Sequence, residues 1–200
     1  MRAANRTQPD IRERILQQAE RVFLEYGYSK TTVADIARAC GMSPANVYRF
    51  FESKAAIHEA ITAVMLRRQE DLALRIAGER RSASQRLKKL IVEMHRFTCE
   101  QYLKESRVHE LVTKAMDEQW SVIDAHIGRI RQVYARVIED GARSGEFARS
   151  ALPGRIACVF NAIMPFCHPQ LVAEKFSADQ GSQAALMADF LVEALRRRAR

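Results

Sequence analysis

Two hundred residues, 48% of them apolar and 28% charged, with only 8 glycines and 5 prolines, exclude a disordered or fibrous chain and leave room for one or two compact units. The first twenty residues carry no apolar run of the secretory kind. The longest apolar stretch, 156–166, is interrupted by Asn161 and Pro165 and falls short of the roughly 18–20 residues a membrane span needs. The formal charge of +8 permits an anionic partner without establishing one. Residues 1–81 hold 14 Lys/Arg against 10 Asp/Glu, residues 82–195 hold 14 of each, and the last five add Arg196, Arg197, Arg198 and Arg200. Half of the excess therefore sits where a helix C-terminus favours cations anyway. Cys40, Cys99, Cys158 and Cys167 show no paired spacing, which reads as reduced thiols in a cytoplasmic protein.

In chain order, almost every segment carries the helical period. Ile11, Ile15, Ala19, Val22, Phe23 and Tyr26 form one stripe, with Asp10 as a candidate N-cap and Gly27 ending the helix. After Thr31-Thr32, Val33, Ile36, Ala37 and Cys40 mark a second, short helix closed by Gly41. Ser43-Pro44 opens a third of about two turns, to Phe51, with serine as cap and proline at the first helical position. Ser53 caps a long fourth helix over 54–77. Further helices are expected at about 84–104, 106–116, 119–143, 154–166 and 181–198, punctuated by Gly145, Pro153, Pro165, Pro169 and Gly181. No segment alternates long enough to argue a strand. The fold class is all-α: an N-terminal helix-turn-helix unit over 1–53, then a larger helical bundle over 54–200 joined to it by helix 54–77.

The two short helices about Gly41 have the form of a helix-turn-helix. At 100° per residue, Val47 and Phe51 share the inner face of the third helix. Ala45 and Arg49 fall on the opposite face, flanked by Asn46 and Tyr48. That outer face suits a major groove. Arginine forks onto guanine O6 and N7, asparagine onto adenine N6 and N7, and a small alanine allows close approach. Periodicity alone would equally describe an amphipathic helix with a solvated face.

The run Thr31-Thr32-Val33, Asp35-Ile36-Ala37, Gly41-Met42-Ser43, Val47-Tyr48, Phe51 and Ser53-Lys54 resembles the DNA-binding signature of the tetracycline-repressor (TetR) family over about 45 residues. The resemblance implies phosphate contacts from Thr32, Ser43, Tyr48 and Lys54, and base reading by Pro44, Ala45, Asn46 and Arg49. Phosphate contacts position such a protein and base contacts specify its site. Phe50 stands where the family often has His or Tyr, so a polar backbone contact is lost there and a packing role is expected. Arg2 and Arg6 lie in an acid-free terminus that reads as solvated chain or as an arm along the duplex.

A single two-turn helix buries too little to specify an operator, so a homodimer on a palindromic double-stranded DNA operator is expected. Helices 154–166 and 181–198 are the candidate dimer elements. The first carries apolar residues on most sides, and the second bears the stripe Met187, Phe190, Leu191, Ala194, Leu195. Met94, Phe97, Met116, Trp120, Ile123, Phe160, Asn161 and Met164 are candidate walls of a pocket for a small, largely apolar effector. His95, Cys99, His109, His126 and His168 are polar intruders among apolar neighbours. The segment between Pro165 and Pro169 lines that pocket or shapes the dimer edge. The five histidines form no zinc motif, and no phosphate loop or nucleophile elbow occurs. No enzyme activity, metal or cofactor is expected, and no membrane partner. A thiol-based redox sensor and an unliganded architectural dimer are the competing readings.

Overall fold

The computed structural model describes residues 8–103, 113–115, 121–174 and 179–196. Helices there are α1 (Gln8–Tyr26), α2 (Val33–Cys40), α3 (Pro44–Tyr48), α4 (Lys54–Ala77), α5 (Ala83–Thr98), α6 (Ser121–Ser144), α7 (Leu152–Cys167), α8 (Pro169–Glu174) and α9 (Gln180–Arg196). A π-helical turn, Cys99–Leu103, follows α5 directly. No strand occurs among the described residues. The chain divides into two compact units, Met1–Met65 with Glu105–Val122, and Leu66–Lys104 with Ile123–Arg200.

In the first unit, Ile15, Ala19 and Phe23 of α1 meet Val33, Ile36, Ala37 and Cys40 of α2, Val47 and Phe51 about α3, and Ile57 and Ile61 of α4 in one buried cluster. Local chemistry places these helices. Thr32 and Asp35 form a reciprocal capping box on α2, and Gly41 takes φ 64° to end it. Ser43 caps α3 with Pro44 in its first turn, and the Ser53 hydroxyl accepts from the Ala56 amide at 3.0 Å to start α4.

Several expectations need correction. The first helix starts at Gln8, so Asp10 sits in its first turn instead of at its cap. Tyr26 leaves the apolar stripe and is exposed, while Tyr28, beyond the helix, is buried. The third helix ends at Tyr48, short of Phe51; past it the Phe50 amide makes the tighter three-residue bond to the Val47 carbonyl, which also accepts from the Phe51 amide. The interruption marked by Pro165 and Pro169 needs no such change: Pro165 lies inside α7, and the chain breaks at His168, which takes an extended conformation before Pro169 opens α8. Of the helix expected over 106–116, only residues 113–115 are described, and they are helical.

The second unit has its own core: Leu87, Leu90, Ile91 and Met94 of α5, Val133, Tyr134, Val137 and Ile138 of α6, Val159 and Ile163 of α7, and Ala188, Leu191, Val192 and Leu195 of α9. Glu146 closes the start of α5, accepting from the Ala83 and Ser84 amides at 2.9 and 3.0 Å. Helix α7 is less enclosed than its sequence suggests: only Val159 and Ile163 are buried. The stripe on α9 also splits. Leu191 and Leu195 face the core, whereas Leu186 and Phe190 are each 68% exposed.

Candidate nucleic-acid interface

Helix α3 has an anchored back and an open front. Val47 is fully buried and Phe51 nearly so, and Phe50 packs against the same cluster, in keeping with a packing role. Pro44, Ala45, Asn46, Tyr48 and Arg49 are all exposed, and Tyr48 keeps 52% of its surface open. A face that presents an amide, a phenol and a guanidinium around a small residue offers bidentate donors to base edges and a hydroxyl to a phosphate.

The two helix N-termini beside this face differ in what they have left to give. At α3 the Ser43 hydroxyl accepts from the Asn46 amide at 3.3 Å, so its own proton remains for an anion. At α2 the Thr32 hydroxyl donates to Asp35 Oδ2 at 2.6 Å, and the Thr32 amide donates to the same oxygen at 2.9 Å. These bonds from Thr32 hold the Asp35 carboxyl below its usual range. A phosphate at α2 must therefore displace Asp35 from Thr32 or take the next amides of the helix.

Lys54 is more deeply engaged than its place in the signature suggests. Its Nζ donates to the carbonyls of Tyr28 and Thr31, both at 3.0 Å, and lies 4.2 Å from the centre of the Tyr28 ring. Two of its three donors thus tie the start of α4 to the loop before α2. His58 continues this join from α4, its ring 4.6 Å from Tyr28 and 5.9 Å from Phe23. Arg14 secures the other end of α2 by donating to the Cys40 carbonyl at 2.8 Å. Arg12 covers the Phe51 ring at 4.5 Å. None of these joins is periodic in sequence, so pattern reading passes over them; the lysine after Ser53 was its one visible sign.

Among the described residues, those expected to line an effector pocket do not gather into one wall. Met94 is core. Phe97 borders a cleft of about 270 Å³ with Leu72, Ile76 and the charged Arg75, Lys89, Arg96 and Glu100. Phe160 packs edge-on to Tyr134, with ring centres 6.3 Å apart. Ile123 and Met164 are half-buried, and Asn161 is exposed instead of lying among apolar neighbours. Met116, Trp120, His109, Arg2 and Arg6 lie outside the described residues. Among the described residues, no group of His, Cys, Asp and Glu is placed to hold a metal, and no helix is long and apolar enough to cross a membrane.

A capped helix-turn-helix with a polar, cationic front, followed by a separate helical unit, defines a DNA-binding regulator. Family comparison agrees with that class. Residues 15–61 match the family described as bacterial regulatory proteins, tetR family, and residues 83–186 match the tetracyclin repressor-like C-terminal domain. The chain belongs to the tetracycline-repressor family of transcriptional regulators.

It is 35% identical over 77 residues to the HTH-type transcriptional repressor BepR of Brucella suis, a match spanning 38% of this chain and 37% of that one. It is 20% identical over 168 residues to the probable HTH-type transcriptional regulator YttP of Bacillus subtilis, covering 82% of this chain and 80% of the relative. A TetR-family regulator from Pectobacterium atrosepticum shares the fold with a TM-score of 0.72 at 16% identity, covering 98% of this chain and all of the other.

Proposed function

We propose that this regulator is a repressor that binds a palindromic operator as a homodimer and is released by a small, largely apolar effector. Residues 1–53 form the DNA-binding part and 54–200 the effector and dimer part. The observation that carries the reading is the exposed front of α3, held from behind by Val47 and Phe51. Arg49 and Asn46 read base edges, with Ala45 and Pro44 in close approach. Ser43, Tyr48, Thr32 and the remaining donor of Lys54 position the helix on phosphates.

Leu186 and Phe190, large apolar side chains that α9 leaves exposed, support pairing with a second copy of the chain. Two-fold symmetry would then set the recognition helices roughly 34–36 Å apart, one turn of DNA. Helix α4 runs without a break from residue 54 to residue 77, so an effector bound in the second part shifts the first through it. The size of that shift in affinity follows from the effector's differential binding to the two states. Four free cysteines suit a reducing cytoplasm.

The test is selection of duplexes from a random library by the full-length protein, followed by titration of the Arg49→Ala variant. A selected site with dyad symmetry, and a loss of about 1–3 kcal/mol confined to one base-pair preference, is expected. Asymmetric sites, or an equal loss on every duplex, would overturn the reading.

A further inference from the structure

After residue 81 the excess positive charge of the chain gathers at one corner. Residues 82–195 are balanced, with 14 Lys/Arg against 14 Asp/Glu. Within them, however, 147–173 hold Arg149 and Arg155 and no acid, and the sequence after Leu195 reads Arg196-Arg197-Arg198-Ala199-Arg200. The second unit brings these stretches together where α6 ends, α7 begins and α9 ends. The Ala148 amide donates to the Leu195 carbonyl at 2.9 Å, and Arg155 Nη1 to the Ala194 carbonyl at 2.9 Å. A groove of about 520 Å³ lies here, with Gly145, Phe147, Ala148, Arg149, Ser150 and Arg196 among its walls.

The charged side chains lining that groove are both arginines. The acids beside it are engaged elsewhere. Asp140 is held by Arg86 at 3.1 Å and by Arg143 at 2.9 Å. Glu146 accepts from the Ala83 and Ser84 amides. Glu193 meets Arg196 at 2.9 Å in an exposed pair, of the kind that water largely screens. Arg149 is exposed, and it donates Nε to the Ala142 carbonyl at 3.0 Å and Nη2 to the Arg143 carbonyl at 3.2 Å. Among the described residues no carboxylate lies against it. A guanidinium carries more N–H groups than those two bonds use, so Arg149 keeps donors for an anion. The neighbouring Ser150 is exposed and adds a hydroxyl.

Donors on arginine and serine suit phosphate oxygens, onto which a guanidinium forks two bonds. The groove has no amide side chain to read a base edge, and Phe147, at 3% exposure, has no open face on which to stack one. Contact here is therefore to a backbone, which positions without specifying. The family of this chain works on DNA, where a charge recurs roughly every 1.7 Å and each neutralised phosphate releases counterions. Arg197, Arg198 and Arg200 extend the positive charge beyond what one small anion would use.

We propose that this corner of the second unit is a second nucleic-acid surface, which grips the phosphate backbone of a further DNA segment without reading its sequence. It uses no residue of α3 and depends on neither a palindromic operator nor an effector.

The experiment uses the full-length protein with an excess of a donor-labelled duplex selected for α3, to which an acceptor-labelled duplex of scrambled sequence is added. Energy transfer between the two duplexes is expected at about 50 mM salt and should be gone by about 300 mM. The double variant Arg149→Gln, Arg196→Gln should capture the second duplex about ten-fold less tightly, with a salt slope lower by about two and an unchanged affinity for the selected duplex. Changing Arg197, Arg198 and Arg200 to Gln leaves every described contact in place and should also weaken capture, which keeps the test open if the double variant folds poorly. No transfer with the wild type at low salt, or undiminished capture by the arginine-tail variant, would overturn the proposal. So would a double variant whose urea midpoint falls while capture stays the same, since Arg149 would then serve only to close α6. Poly-glutamate that displaces the second duplex as well as unlabelled DNA does at equal charge would mark a surface for acidic chains and overturn nucleic acid as its occupant.

Discussion

Glu70 of α4 and His126 of α6 meet at 2.7 Å, with side chains 12% and 10% exposed, and Arg129 donates to both oxygens of the same carboxylate at 2.8 and 2.9 Å. Burial pushes His126 below its usual value even though Glu70 works the other way, so the imidazole is neutral and donates its Nδ1 proton. Burial pushes Glu70 upward, but the hydrogen bonds from Arg129 and His126 outweigh it and hold the carboxyl below its usual range. Both folded-state values are depressed. The stabilisation is therefore complete above the unfolded-state values and drains away as pH falls, first below about 6.5 for His126, then below about 4.5 for Glu70.

Urea unfolding should register this triad. Glu70→Gln is expected to cost about 2 kcal/mol at pH 7.5, since it leaves an imidazole and a guanidinium poorly matched. His126→Gln should flatten the loss of stability that the wild type shows between pH 7.5 and pH 5. A wild-type midpoint that does not move across that interval would contradict the neutral, buried imidazole.

Lys54→Met removes two hydrogen bonds to the carbonyls of Tyr28 and Thr31. We expect about 1–3 kcal/mol of lost stability, because the carbonyls lose a charged donor. Titrations of a selected duplex at several salt concentrations separate this role from phosphate binding. Removing a phosphate contact lowers the salt slope by about one, whereas loss of positioning weakens binding at an unchanged slope. With one donor of Lys54 left for a phosphate, a slope lower by about one is expected on top of the lost stability; an unchanged slope would leave Lys54 with positioning alone.

Two glycines of α6 make a matched pair. A Cβ on Gly141 would lie 2.2 Å from the buried Phe147 ring and 2.9 Å from Ala83, while one on Gly128 meets nothing within 4 Å. Gly141→Ala should destabilise by about 1–3 kcal/mol through overpacking. Gly128→Ala should stabilise by up to about 1 kcal/mol through helix propensity. Thermal denaturation of both variants checks the contrast; equal effects would mean that the Phe147 contact yields without cost.

Phe190→Glu places a charge on the most exposed aromatic of α9. If that face pairs with a second copy, sedimentation at micromolar concentration should change from dimer to monomer while the helical circular dichroism is retained. A wild-type monomer under the same conditions would remove the dimer from the account.

The helix-turn-helix was legible because its determinants are local. Thr32, Gly41, Ser43-Pro44 and Ser53 are caps and stops acting within four residues of their targets, and the 3.6-residue period then sorts Val47 and Phe51 from Asn46 and Arg49. The same reasoning misjudged Tyr26 in the last turn and had nothing to say of the buried Tyr28, since a residue just past a glycine stop has no helical phase from which to infer its side.

In the larger part, helix positions were readable but partners were not. Apolar residues on α7 and α9 announce burial without saying whether the covering surface belongs to the same chain. Only the packed helices show Leu191 covered and Phe190 open. Contacts such as Glu70 with His126, 56 residues apart, or Tyr134 beside Cys167, depend on the rotation and offset of whole helices. Those are set by how side-chain ridges interlock across the core, a collective property that no short stretch of sequence encodes.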